Sequence, residues 1–246
     1  MSITMPETSR RTMLGLTALT AGAALVARAS PARAAAEAKV AASSALTPGQ
    51  ALQKLIAGNR RFTADQNPVT DISTRRRLEI AKSQTPFAAL VGCADSRVGP
   101  EHLFGGGLGE LFIVRTAGNY VDEAGYGSLA YAVAALGVPL IVVLGHARCG
   151  AVDAATKLVT DNRQLPPSLS RMVQPILPAV IDARTTLAEK ADLVDHAIHV
   201  NVRYVVKGLR EASDPILAEP IKVGKVWVVG AYYDLDTGAV DFFDRG

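Results

Sequence analysis

Two apolar runs in this chain, Phe87–Gly92 and Leu140–Gly145, each stop on a residue that can bind a metal. The first runs into Cys93-Ala94-Asp95-Ser96-Arg97, the second into His146-Ala147-Arg148-Cys149-Gly150. Short, near-continuous apolar runs of this kind are the strands of a sheet covered on both faces. Helical spacing between them points to an α/β fold, mostly parallel and flanked by helices. In such sheets ligands bind beyond the carboxyl ends of the strands, which is where both half-motifs fall. Their separation of 53 residues (146 − 93) closes if the two strands are neighbours.

The chain has only two cysteines, and both lie in these motifs. Two thiolates and one imidazole are three ligands for zinc with a fourth position open, the pattern of a catalytic rather than a structural zinc. A Cys93–Cys149 disulfide is the rival use of the pair, but it leaves His146 and Asp95 without a task. Gly105-Gly106-Gly107 lacks the Lys-Ser/Thr of a phosphate loop and reads as a turn.

Thr47 is placed to cap a helix with Pro48 at its first position. Further helices are expected around 75–82, over 125–136, after Gly150 and over 187–212, with a Pro-rich connection before the last. Strands are expected over 87–93, 110–115, 140–145, 225–233 and 239–243, the last two joined as a hairpin through Asp236-Thr237-Gly238. At 49% hydrophobic and 5% aromatic residues, the core must be built of aliphatic side chains.

The N-terminus is set apart from the fold. Ser9-Arg10-Arg11 precedes a small, apolar run from Met13 to Val26, followed by small-residue cleavage candidates near Ala34. This points to a twin-arginine export signal over residues 1–36, a tail over 37–46 and one catalytic domain over 47–246. The apolar run of 14 residues (26 − 13 + 1) is short against the ~20 of a spanning helix, so no stable membrane anchor is expected. Cleavage after Ala34 removes Arg10, Arg11, Arg28, Arg33 and Glu7. The 26 basic and 23 acidic residues then become 22 and 22, so the net +3 is no nucleic-acid footprint. The expected location is the periplasm, reached through the twin-arginine machinery.

With Asn59-Arg60-Arg61-Phe62, Arg115-Thr116-Ala117-Gly118-Asn119 and Gly230-Ala231-Tyr232-Tyr233-Asp234 added to the two half-motifs, the mature chain resembles the β-class carbonic anhydrases. The resemblance implies one Zn2+ per chain on Cys93, His146 and Cys149, with Asp95 and Arg97 as the catalytic dyad and Asp95 a ligand only in a closed state. It places Gln84, Phe112, Ala117, Tyr131 and Gly150 at the substrate pocket. Phe112 and Tyr131 come from the neighbouring subunit of a homodimer or tetramer. The implied reaction is reversible hydration of carbon dioxide to bicarbonate. Two alternatives stay open on the residues: hydrolysis of carbonyl sulfide or carbon disulfide at the same metal, and a non-catalytic zinc scaffold. Thr116 and Ala117 depart from the residues common in the family. Leu90 replaces the tryptophan that one subgroup uses in an inhibitory bicarbonate site, so no site of that type is expected. His196, His199, Tyr232 and Tyr233 read as structural.

Overall fold

A computed structural model describes residues 44–188 and 191–245. The expected export signal and most of the tail lie outside the described residues. Among the described residues no helix is long and apolar enough to cross a membrane.

Helix α1 (Pro48–Thr63) opens as its sequence dictates. Thr47 Oγ1 accepts from the Gln50 N–H at 3.3 Å, and Gln50 Oε1 accepts from the Thr47 N–H at 2.8 Å. This reciprocal box satisfies two donors that the first turn would otherwise leave unpaired. α1 then lays Ala51, Leu52 and Leu55 on the core. The short α2 (Thr74–Ile80) buries no residue.

Five strands follow in the order β2-β1-β3-β4-β5: β1 (Ala88–Cys93), β2 (Leu111–Thr116), β3 (Leu140–His146), β4 (Trp227–Tyr233) and β5 (Val240–Asp244). The first four are parallel, and β5 returns antiparallel to β4. β1 and β3 are buried along their whole length, which explains their unbroken apolar sequence. On one face, α1 and α3 (Pro100–Phe104) cover Leu90, Leu140 and Leu144. On the other, α4 (Glu123–Ala134), α8 (Leu193–Arg210) and α9 (Pro215–Lys222) cover Val91, Ile141 and Val143. Each of these buried aliphatic side chains contributes about 1.5–3 kcal/mol.

A third cluster gathers α5 (Gly150–Asp161), α7 (Leu177–Thr186) and α8 around the two cysteines. α6 (Pro167–Val173) and a single 3₁₀ turn (Gln174–Ile176) lead into it. The stretch expected as a Pro-rich connection is therefore largely helical. Its prolines stand at helix starts, where the missing N–H costs nothing. The last long helix begins at Leu193 rather than Leu187, because Asp192 Oδ1 caps it by accepting from the Val194 and Asp195 N–H groups.

The chain runs from β1 outward to β2 and then back across to β3. β1 and β3 are thus adjacent, paired from Ala89 with Ile141 to Gly92 with Leu144. This reversal opens a crevice at the carboxyl ends of these two strands. Cys93 ends one and His146 ends the other. Close packing helps set the second: a Cβ on Gly145 would lie 2.7 Å from Val202 and 3.0 Å from Ile198, both on α8.

Candidate metal centre and active site

Cys93, His146 and Cys149 are buried, and their ligand atoms all lie within 4.8 Å of one another. The sulfurs are 3.9 Å apart, far beyond the ~2.05 Å of a disulfide. Two sulfurs each ~2.3 Å from one tetrahedral zinc stand about 3.8 Å apart, so the observed spacing fits. The imidazole fits too. His146 Nδ1 lies 2.9 Å from the Ala147 carbonyl, which can only accept, so Nδ1 carries the proton. Nε2 is then left with a lone pair, buried and without any hydrogen-bond partner. Orphaned buried nitrogens are costly and rare, and a metal here removes the cost.

The two thiols point to the same conclusion. Hydrogen bonding from Cys149 pulls the Cys93 thiol well below its ordinary value, and Cys149, bonded to Cys93 and desolvated, is pushed up. Two thiolates this close ionise together only with a cation between them. The Gly118 N–H donates to Cys93 Sγ at 3.2 Å, and the head of α5 acts on Cys149 in the direction of the thiolate.

Asp95 sits in the turn after β1. Its Oδ1 accepts from the Arg97 N–H and Nε, both at 2.9 Å, and its Oδ2 from Arg97 Nη2 at 2.7 Å. Hydrogen bonding to Arg97 holds the carboxyl far below its usual range, against the opposing effect of burial. Oδ2 lies 3.9 Å from His146 Nε2, so the carboxylate stands beside the metal ligands while gripped by the guanidinium. Arg115, across on β2, donates to the Cys93 carbonyl at 2.8 Å and to the Asp95 carbonyl at 2.7 Å. Arg115 opens the stretch Arg115-Thr116-Ala117-Gly118-Asn119, whose sequence gives no sign of this stapling role.

The structure divides the remaining expected site residues. Ala117 packs on the cluster that holds both cysteines, and Gly150 opens α5 with nothing within 4 Å of where a Cβ would be. Gln84, Phe112 and Tyr131 are elsewhere. Phe112 lies four residues before Thr116, the partner of Cys93 in the sheet, hence about 13 Å along the strand. Its ring is 6.4 Å from that of Tyr131. Tyr131 is 53% exposed and shares a surface hollow with Gln84, Gly109 and Leu136. These three residues cannot serve the metal cluster of their own chain. Leu90 is fully buried, and Trp227 lies at the opposite end of the sheet, paired with Leu140. His199 stacks on Tyr232 at 4.3 Å and Tyr232 donates to Asp195, a local packing arrangement on α8 and β4.

Fold and site together define an α/β metalloprotein with a Cys-His-Cys centre at the crevice between β1 and β3, and an Asp/Arg dyad beside it. The family profile described as carbonic anhydrase matches residues 88–240. Carbonic anhydrase 2 of Mycobacterium tuberculosis is 40% identical over 192 residues, covering 78% of this chain and 90% of its own. The carbonic anhydrase of Mycolicibacterium smegmatis is 38% identical over 195 residues, covering 79% and 92%. Among solved structures, the β-carbonic anhydrase CcaA superposes with a TM-score of 0.59 at 27% identity, over 77% of this chain and 93% of that one. A tetrameric β-carbonic anhydrase of Sordaria macrospora superposes with a TM-score of 0.62 at 25% identity, over 75% and 90%. This chain belongs to the carbonic anhydrase family, in its β class.

Proposed function

We infer that the protein is a zinc enzyme that reversibly hydrates carbon dioxide to bicarbonate and a proton. The observation that carries this is the buried Cys93, His146 and Cys149 set, with the unpartnered Nε2 lone pair and an ionised Asp95 3.9 Å from it. These three residues would hold zinc, which would supply an acidified water as the nucleophile. The relatives' name favours this reading over the sulfur-containing substrates and over a non-catalytic scaffold.

The chain's own residues then have distinct tasks. Arg97 keeps Asp95 ionised, so its carboxylate can accept a hydrogen bond from the attacking group but not donate one. This orients a lone pair toward the carbon and leaves the proton to pass to solvent. Ala117 and Gly150 leave small, uncrowded walls that suit a small apolar substrate. The double grip of Arg97 supports an open site at neutral pH. A zinc-loaded crystal grown near about pH 7.5 with Asp95 on the metal would contradict that.

We propose that Gln84, Phe112 and Tyr131 complete the site of a neighbouring subunit. Their distance from their own chain's cluster and the exposure of Tyr131 support a homo-oligomer with shared sites, and the Sordaria structure is tetrameric. The Arg10-Arg11 pair supports export to the periplasm, testable by fractionating cells that carry Arg10→Lys/Arg11→Lys. The activity is tested by stopped-flow hydration on zinc-analysed protein beside Cys149→Ser. Fast turnover that is lost with the ligand supports the reading. One zinc per chain with no hydration overturns it.

A further inference from the structure

Arg148 stands between His146 and Cys149 with a φ of 53°, a left-handed conformation that glycine adopts freely and an arginine does not. Nothing in the metal chemistry asks for an arginine there, yet its guanidinium is paired. Nη1 and Nη2 donate to Asp236 Oδ2 and Oδ1 at 2.7 and 2.9 Å, a bidentate pair. Asp236 lies in the β4–β5 turn, 88 residues away in the chain. That turn is a firm mount. Asp234 Oδ1 accepts from the Asp236 and Thr237 N–H groups at 2.8 and 2.9 Å. Buried Asn59 of α1 donates to the Gly238 carbonyl and accepts from the Val240 N–H, both at 2.9 Å.

The other end of Arg148 reaches the dyad. Its carbonyl accepts from Arg97 Nη2 at 3.4 Å, a long contact, and that same nitrogen donates to Asp95 Oδ2 at 2.7 Å. A continuous set of contacts therefore runs from α1 through the hairpin turn and the metal-binding loop to Asp95.

We propose that Arg148 is a positioning residue: its ion pair with Asp236 holds the His146–Cys149 loop against the β4–β5 turn, and its carbonyl helps aim Arg97 at Asp95. This rests on the carbonic anhydrase reading of the site. The two side chains are 56% and 71% exposed, so the pair adds little to global stability. Its effect is on where the loop sits.

The experiment compares the zinc-loaded full chain with Arg148→Ala, Arg148→Gly, Asp236→Asn and the Arg148→Ala/Asp236→Asn double variant. Zinc release to a chromogenic chelator, thermal midpoint and kcat/KM are measured for each. Each single change is expected to speed release and lower kcat/KM about two- to five-fold, the range set by a pair of this exposure. The double variant is expected to be no worse than either single one, because both remove the same interaction. Arg148→Gly relieves the backbone, so its midpoint should match or exceed that of the unaltered protein while release is as fast as for Arg148→Ala. A merely structural role predicts the opposite link, faster release only with a lower midpoint. Single variants that release zinc at the unaltered rate, or additive effects in the double variant, overturn the proposal. If the unaltered protein binds zinc but does not hydrate carbon dioxide, the functional reading falls, while the release measurements still decide the role of Arg148.

Discussion

Gly118 is the residue at which backbone, packing and metal site meet, and Gly118→Ala is the perturbation from which most can be worked out. Its φ is 83°, a region that costs an L residue roughly 1–2 kcal/mol. A Cβ there would stand 2.4 Å from Ile176 Cδ1 and 3.2 Å from the Ala151 Cβ. Ile176 is fully buried, so either its Cδ1 turns into other packed side chains or the backbone shifts, an overpacking cost of about 1–3 kcal/mol. The sum, about 2–5 kcal/mol, is a large part of the ~5–15 kcal/mol by which a typical protein is stable. At roughly 2–4 °C per kcal/mol for a chain of this size, the thermal midpoint should fall by about 4–20 °C. Thermal unfolding of zinc-loaded protein at one fixed concentration reads this, since ligand and assembly both move the midpoint. The same shift would withdraw the N–H that donates to Cys93 Sγ and the carbonyl that accepts from Asn201 Nδ2 at 2.9 Å. Chelator-driven zinc release should therefore quicken as well. A midpoint within about 1–2 °C of the unaltered protein would refute the packing argument.

Arg97→Ala removes both side-chain donors from Asp95, and hydrogen bonds to a charged group at ~1.5–3 kcal/mol imply a kcat/KM about ten- to hundred-fold lower. Arg97→Lys should restore only part of it, because a lysine keeps the charge but not the fork; full activity in Arg97→Ala would show the dyad to be dispensable. Gly208→Ala, in α8 with nothing within 4 Å of the new Cβ, should raise stability by about 0.5–1 kcal/mol in denaturant melts, and a loss would reveal a contact not seen in the chain alone. Asp236 is held below its ordinary 3.8 by hydrogen bonding to Arg148. A depressed carboxyl contributes fully above its unfolded value and loses that contribution only as pH falls through the lower folded one. The ratio of zinc-release rates, Asp236→Asn over unaltered, should therefore stay flat from about pH 6 to 9, and a change beyond about two-fold in that window would be inconsistent with the pairing.

Much of this protein was readable from local signals. The capping box at Thr47 and Gln50 depends on residues three apart, and the apolar runs of β1 and β3 declare their burial by composition alone. Cys93-x-Asp95-x-Arg97 and His146-x-x-Cys149 are likewise short enough to carry their chemistry in spacing. The sequence overran α8 at its start and took the stretch before it as a plain connection. A helical pattern does not show where a capping aspartate wins, or that a proline begins a helix rather than interrupting a loop. The hairpin, by contrast, follows its turn signal: β4 ends at Tyr233 as expected, and β5 starts at Val240, one residue later than expected.

What the tertiary structure alone decided is the set of contacts between residues far apart in the chain. The placement of β1 beside β3 turns two half-motifs into one metal centre. Arg115 staples the turn after Cys93 from a different strand, Asn201 on α8 holds Gly118, and Asp236 in the last hairpin holds Arg148. The separation of Phe112 and Tyr131 from their own metal cluster is likewise a fact of strand length and register. Spacing along a chain specifies which groups can share a short turn or a helix face. Which distant groups meet is set by how the elements pack, and the stapling and clamping residues around this site are of that second kind.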